Sequence, residues 1–472
     1  MGETIADCEK RRIMTQRTNV VLLAALMTAS AGAQDVSVYG TTMAQLWKQN
    51  LPDGTKQSLA PAAQYLGIDA SQLGTEALSL HLFGWGRTDL ADASTPNGKS
   101  GGDLTYGYLQ YRFAEANAEI KAGRFGFTQG GAMEQVDGIS ARADLKGGFT
   151  LSFFGGKPVL YKTLEGAAQK DYEYQHDVIF GGRLGWRMSK IGELGLSYLQ
   201  DGTTAAKDLH VPSPVDYTRR QVGADIRLVP IAAVDFSGRT VWDMAKHDEV
   251  APASAPSRIA EHDYTLAVKI APMFSVTGNF TERNFQAYFA GTNLPSLFRP
   301  TELGKHRGYG GAVILGSASA VQVTADYRNT QRDSFGEANR FGADIRWTVL
   351  ESKLQTGLGM HRVLTDNVKS IDARVPIYSL SHRELRAWMM YESGRYSVSL
   401  DGIRQSFDDK ENPNLNGKSS QFEVVGSVGA RLTPTVKISG DLTYGANPIF
   451  KKEVRGLLRA EYRFSMARKG GK

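Results

Sequence analysis

The sequence predicts an all-β protein, a single transmembrane antiparallel β-barrel of about 22 strands (roughly 20 to 24). Residues 177–201 form two alternating runs joined by a turn of about four residues, and similar runs recur along the chain. After the amino-terminal segment, no window approaches the ~18 consecutive apolar residues that a membrane helix needs. Because only helices and closed barrels satisfy their backbone inside a bilayer, a protein of this kind must cross as a barrel.

The first alternating run shows the two faces that the prediction requires. Val178, Phe180 and Trp186 point to one side, whereas Arg183 and Arg187 point to the other. A sheet with one apolar face and one arginine-bearing face is typical of a wall between lipid and a polar interior.

The amino terminus resembles an export signal. A basic start is followed by the apolar run 20–27 and by Ala31-Gly32-Ala33, which predicts a secretory signal peptide over residues 1–33. Met14 is the natural start of such a signal, so residues 1–13 are interpreted as a misassigned upstream start. The barrel is expected over residues 34–466, and residues 467–472 form a short basic periplasmic tail. We expect no plug domain before the first strand.

Composition excludes several function classes. The net charge is +6, and removing the four basic and three acidic residues of 1–33 leaves +5, which is too small to indicate nucleic acid binding. Cys8 is the only cysteine, so the mature chain can form no disulfide and attach no c-type haem. The eight histidines have no metal-ligand spacing. We therefore expect no cofactor and no enzyme.

The connections fall into two classes, short and long, that are expected to alternate strictly. Tight turns such as 189–191 and 433–435 alternate with long polar segments such as 156–175 and 286–305. Short turns at one rim and long loops at the other are the periplasmic and extracellular ends of an outer-membrane barrel, which places both termini in the periplasm. A soluble propeller is the alternative, but the chain lacks the fixed repeat that a propeller should show.

The face opposite the apolar one is expected to line a lumen. Its charges need water or a polar partner, because unpaired ions cost several kcal/mol when buried dry. Arginines outnumber acids there, which weakly favours anions. The expected lumen-lining residues are Arg183, Arg187, Asp225, Arg227, Asp235, Arg239, Arg283, Asp326, Arg328, Asp344, Arg346, Arg431, Arg459 and Arg463.

Aromatic residues near strand ends are expected at the lipid interfaces. These are Trp186, Trp242, Trp347, Tyr462 and Phe464. The last strand, residues 454–464, resembles the carboxy-terminal signal read by the barrel-assembly machinery, although a tail follows it here. Outer-membrane lipid and that machinery are therefore expected partners.

The lumen should be wide. Strands about 4.8 Å apart and tilted about 40° give a backbone diameter of ~44 Å, of which ~25 Å is clear of side chains. Either loops fold inward to narrow this bore or another protein occupies it.

Three segments carry a family resemblance: Leu78 to Asp89, Ala122 to Asp144 and Phe154 to Val159. They resemble the porin component of porin–cytochrome electron conduits of metal-reducing Gram-negative bacteria. That resemblance implies a sheath around a multihaem cytochrome, with the cytochrome in the lumen. Gly123-Arg124 and a turn at Asp137-Gly138 also resemble substrate-specific porins, including phosphate and alginate types.

The sequence therefore predicts a porin-like channel across the outer membrane. A sheath or scaffold for a multihaem c-type cytochrome in transmembrane electron transfer is the alternative, and an outer-membrane enzyme is the third interpretation.

Overall fold

The strands close into one antiparallel barrel in the computed structural model. The described residues are 35–50, 56–90, 100–159, 178–202, 219–244, 259–284, 305–333, 336–351, 353–366, 380–448 and 450–467. The expected signal peptide, and the tail after Ala467, lie outside them. Consecutive strands pair along the chain, except that the second and third described strands both pair with the first, and the first strand pairs with the last over residues 35–50 and 452–467.

The wall contains 22 strand positions, which confirms the predicted fold. The described chain has 23 strands, but the four-residue β2 and the longer β3 both pair with β1 and occupy one position. The strands are β1 (Asp35–Asn50), β2 (Lys56–Leu59), β3 (Pro61–Ser71), β4 (Leu78–Asp89), β5 (Ser100–Phe113), β6 (Ala118–Gln129), β7 (Ala132–Asp144), β8 (Phe149–Pro158), β9 (Val178–Met188), β10 (Gly192–Gly202), β11 (Arg219–Ile231), β12 (Val234–Asp243), β13 (Ile259–Ala271), β14 (Phe274–Asn284), β15 (Lys305–Gly316), β16 (Val321–Arg332), β17 (Gly336–Val349), β18 (Leu354–Thr365), β19 (His382–Glu392), β20 (Tyr396–Phe407), β21 (Ser420–Thr433), β22 (Val436–Ala446) and β23 (Lys452–Ala467).

Helical structure is minimal in the described residues. Two three-residue 3-10 turns occur, at Lys146–Gly148 and Pro413–Leu415. No helix among the described residues is long and apolar enough to cross a membrane.

The two rims differ in the length of their connections. At the short-turn rim, two to six residues join consecutive strands, and the described chain both begins and ends there. At the long-loop rim, connections reach 20 residues, between Asn284 and Lys305. The expected strict alternation is wrong on this rim, because only Gly130 and Gly131 join β6 to β7 and only residues 333–335 join β16 to β17. The connections 51–55 and 447–451, of five residues each, are also no longer than those of the short-turn rim.

Ladder register divides the side chains into two faces. Almost all large apolar side chains that are exposed lie at positions of one face, for example Leu442, Leu458 and Phe464 at 59%, 64% and 46% exposed. Side chains of the other face converge, since Arg183 on β9 reaches Asp225 on β11 and Tyr39 on β1 reaches Tyr106 on β5. The converging face is therefore the concave inner face, and the apolar face is the outer one.

Candidate functional site

The lumen is the candidate site, and all fourteen charged residues expected there occupy inner-face positions. Residues paired across a ladder share a face, so Asp225 lies beside Arg239, and Gln322 lies beside Arg346. The same pairing rule places Arg463 beside Tyr39, where the last strand pairs with the first.

The five aromatic residues expected at the interfaces occupy outer positions near strand ends. Trp186 and Trp347 each lie two residues before the end of their strand at the short-turn rim, and Tyr462 and Phe464 lie near the end of β23 at the same rim. Trp242 lies one residue before the end of β12, at the long-loop rim. Two interfacial girdles would need aromatic residues at such positions, and the contact of these five residues with lipid stays a prediction.

Many of the inner charges brace the wall in pairs. Arg183 contacts Asp225 at 2.6 Å and Glu193 at 2.8 Å. The buried carboxylate of Glu261 contacts Arg239 at 3.0 Å and also accepts from Arg283. The opposite charges of such pairs largely cancel, so these residues contribute little to the electrostatic potential in the lumen.

A second paired cluster gathers on β16 to β19. Potential ligand atoms of Asp326, Asp344 and His361 lie within 4.8 Å of one another, a spacing at which a metal ion could be held. Asp326 accepts from His361 at 2.8 Å and contacts Arg340 at 2.8 Å. Because the arginine already neutralises this carboxylate, the cluster has the character of a structural ion network.

Another set of inner cations has no acidic partner among the described residues. Seven of them lie within four residues of a strand end at the short-turn rim, on strands spread around the barrel. We call this set the cation ring: Arg112, Arg187, Lys269, Arg346, Arg431, Lys437 and Arg463. Arg328 also has no acidic partner in the described part of the chain but lies deeper in the wall.

Carboxylates near the same rim mostly have partners. Glu119 contacts Lys121 at 3.3 Å, Asp235 contacts Arg227 at 3.3 Å, and Asp69 contacts His81 at 2.7 Å. Among the described inner acids at this rim, Asp35 and Glu392 stand without a cation. The rim therefore carries an excess of free positive charge.

The hairpin of β6 and β7 leaves the wall and folds into the lumen. β6 pairs with β5 only as far as Arg124, and β7 pairs with β8 only as far as Val136. At the tip, the backbone N–H of Gly131 donates to Oγ of Ser197, on the inner face of β10, at 3.1 Å. We call residues 125–136 the infolded hairpin.

An apolar cluster holds the infolded hairpin against the wall. Phe125, Phe127 and Val136 are buried against inner-face residues of β8 to β10, and the ring centroids of Phe127 and Phe154 are 4.2 Å apart. Folding inward turns the outer positions of the hairpin toward the lumen, where the side chain of Met133 is 60% exposed. The remaining passage is therefore displaced from the barrel axis.

Side chains close the point where β6 separates from β5. Arg124 forms two hydrogen bonds to Asp137, at 2.8 and 2.9 Å, and donates to the carbonyl of Leu104 at 2.8 Å. Gln135 donates to the carbonyl of Thr105. The expected turn at Asp137-Gly138 is wrong, because both residues lie inside β7 opposite Arg124 and Gly123.

A third feature is a row of rings on the inner face of β1, β3, β4 and β5. Neighbouring ring centroids lie 5.0 to 6.4 Å apart, and most neighbouring planes are within 28° of parallel. We call this row the aromatic wall: Tyr39, Tyr65, His81, Phe83, Tyr106 and Tyr108. Sequence reasoning missed it, although in Leu78–Asp89 His, Phe and Trp fall at alternate positions between leucines and glycines.

Comparison with known proteins gives the fold. No protein-family model and no curated protein matches the chain. A mutant of the ferric enterobactin receptor PfeA from Pseudomonas aeruginosa is 10% identical, with a TM-score of 0.52 over 90% of this chain and 80% of that one. The siderophore receptor PirA from Acinetobacter baumannii is also 10% identical, with a TM-score of 0.50 over 90% and 80%. The fold is that of an outer-membrane β-barrel.

A weaker match is the translocation pore of the P pilus usher PapC, at 11% identity and a TM-score of 0.46 over 90% of this chain and 99% of that chain. At these identities the comparisons speak only to the fold, so any function has to be argued from the lumen.

Proposed function

We propose that this protein is a porin-like channel that lets small hydrophilic solutes cross the outer membrane, with a preference for anions. The short-turn rim faces the periplasm, and the long-loop rim faces outside. The apolar outer face supports placement in lipid, because exposed side chains such as Leu196 and Leu458, at 61% and 64%, would be costly in water.

One observation carries this proposal, the cation ring on the inner face. Its guanidinium and ammonium groups have no acidic partner among the described residues, so they need water or a mobile anion. A ring of one sign raises the local concentration of counter-ions at a pore mouth. Paired arginines such as Arg183 contribute much less, since Asp225 and Glu193 cancel their charge.

The infolded hairpin favours a narrowed channel rather than a wide, unobstructed barrel. A barrel of 22 strands has a backbone diameter of ~44 Å, which is wide for a selective path. The hairpin occupies lumen beside β8 to β12 and confines solutes to the remaining side. Inward folding of a connection at the long-loop rim is thus the solution favoured over a bore filled by a partner.

A sheath around a multihaem cytochrome is the second candidate. The cation ring favours it as well, because a periplasmic protein with an acidic surface would complement the short-turn rim. The infolded hairpin weighs against it, since a protein filling the bore would have to displace a packed cluster that includes Phe127 and Phe154. Under this proposal the barrel itself catalyses no reaction.

The test is reconstitution of the purified barrel in planar bilayers under a salt gradient. We expect large unitary currents and a reversal potential on the anion side. Replacing Arg187, Arg346 and Arg463 together by Gln should move that potential toward the cation side. The matched control replaces Arg383, Arg404 and Lys410 by Gln, which removes the same charge from positions outside the lumen.

Two results would overturn the channel. One is a barrel that passes no ions although it is folded and inserted. The other is a barrel that conducts only after a co-purifying haem-staining protein has been removed, which would establish the sheath.

A further inference from the structure

The aromatic wall is a candidate binding surface that ion conduction does not require. Among described inner-face residues, the positions of β1 to β5 carry seven aromatic side chains, whereas those of β9 to β23 carry only two, Trp388 and Phe407. A general water-filled pore gives no reason for this asymmetry. We propose that the aromatic wall binds uncharged saccharides as they pass through the lumen, an inference that rests on the proposed channel function.

The rings are open to the passage. The infolded hairpin is docked on β8 to β12, through Ser197 and the apolar cluster, and leaves β1 to β4 uncovered. Tyr108 touches that cluster, whereas Tyr39, Tyr65, Phe83 and Tyr106 stand outside it, and all of them are partly exposed. A solute moving past the hairpin therefore meets these rings.

The rings lie along the wall. A Cβ added at Gly67 of β3 would clash with the ring of Tyr39, so that ring lies over the β3 backbone, where glycine leaves room for it. The ring centroids of Tyr39 and Phe83 are 6.2 Å apart, with an angle of 21° between the ring planes. The ring centroids of Phe83 and Tyr106 are 5.5 Å apart, with an angle of 18° between the planes. Rings laid nearly parallel over neighbouring strands form a flat apolar track.

Hydrogen-bonding groups border this track. The hydroxyls of Tyr39 and Tyr106 are 2.8 Å apart and bonded to each other. His81 is bonded to Asp69 at 2.7 Å and to Ser79 at 3.0 Å. A sugar ring has the complementary form, because its C–H face stacks on an aromatic ring while its hydroxyls exchange hydrogen bonds at the edge.

Charge argues for a neutral ligand. The cation over the track, Lys121, lies 5.5 Å from the ring centre of Tyr108 and is paired with Glu119 at 3.3 Å. Asp69 is paired with His81. The surface thus offers stacking and hydrogen bonds with little net charge.

The test uses linear glucose oligomers of one to six units as probes of the reconstituted barrel. We expect them to interrupt the ion current, with affinity rising with chain length as more rings are covered. Phe83→Leu combined with Tyr106→Leu keeps apolar volume but removes two flat faces and one hydroxyl, and should weaken the block about ten-fold. Trp388→Leu, on the inner face of β19 and outside the aromatic wall, is the matched control and should leave the block unchanged.

The inference is wrong if the oligomers bind the double variant and the parent equally. It is also wrong if phenol or benzoate interrupts the current and the oligomers do not. Calorimetric titration of the folded barrel in detergent with the same oligomers separates this inference from the channel proposal, because binding there does not depend on conduction.

Discussion

Gly123 lies directly opposite Gly138 in the ladder between β6 and β7, at the level where the infolded hairpin leaves the wall. Gly123 has a φ of +127°, and a Cβ added there would clash with the carbonyl oxygen of Gly107 on β5. A Cβ at Gly138 would clash with the carbonyl oxygen of Gly155 on β8. Both edges of the hairpin thus approach their neighbouring strands more closely than any side chain permits.

Gly123→Ala should therefore destabilise the barrel. Backbone strain at this φ costs about 1–3 kcal/mol, and the clash adds to it. The midpoint of heat-induced unfolding, followed by gel mobility, should fall. Gly126→Ala is the matched control on the same strand, because nothing lies within 4 Å of a Cβ there. Equal midpoints for the two variants would contradict this account of the bend.

Phe127→Ala should loosen the infolded hairpin. Phe127 is 6% exposed and packs on Phe154, so truncation should cost about 3 kcal/mol of the contact that holds the hairpin. Single-channel records should then show larger or noisier open currents, since the hairpin would leave its docked position part of the time. Met133→Ala, on the opposite side of the same hairpin, should conduct as the parent does.

Phe464→Asp should impair assembly into the membrane. The side chain lies on the outer face near the end of β23 and is 46% exposed, so a carboxylate there costs up to about 1 kcal/mol at the interface and removes the terminal aromatic residue. The amount of heat-modifiable barrel in outer-membrane fractions measures this. Ser465→Asp places the same charge one residue later on the inner face and should assemble normally.

Cysteine labelling tests the orientation of the two rims. A cysteine at the exposed Lys410, in the connection between β20 and β21, should react with an impermeant maleimide on intact cells. A cysteine at the exposed Lys190, in the turn between β9 and β10, should react only after the outer membrane is opened. The reverse pattern would place the short-turn rim outside.

The faces of the barrel could be predicted because side chains alternate with a period of two, so a single correctly placed strand such as β9 fixes inside and outside for all its residues. The ion-pair partners of the inner-face charges could not be predicted in this way. Arg227 and Arg459 were expected among the lumen-lining arginines whose surplus over acids favours anions, but they contact Asp235 at 3.3 Å and Asp441 at 3.4 Å. Which charges meet depends on the register between strands, and alternation alone leaves that open.

The infolded hairpin escaped prediction for a related reason. Side chains of the infolded hairpin alternate between two faces without interruption, as in any strand. Bending the hairpin into the lumen changes what each face contacts but does not change this two-residue period. Two signs were present: Phe125 and Phe127 occupy positions that carry charge elsewhere in the barrel, and Arg124 and Asp137 occupy positions that are apolar elsewhere. A polar pair on the lipid side beside a phenylalanine pair on the lumen side indicates a strand that has left the wall.

The two-glycine tip of the infolded hairpin also limits how this protein can vary. In the proposed orientation the long-loop rim faces outside, and its long connections are the places where an inserted epitope would be displayed to antibodies. Gly130 and Gly131 sit at the same rim in chain order, yet a Cβ at Gly130 would lie 2.7 Å from the side chain of Ser197. Under the proposed channel function an insertion there would grow into the path of the solute, so we expect this connection to resist change in length.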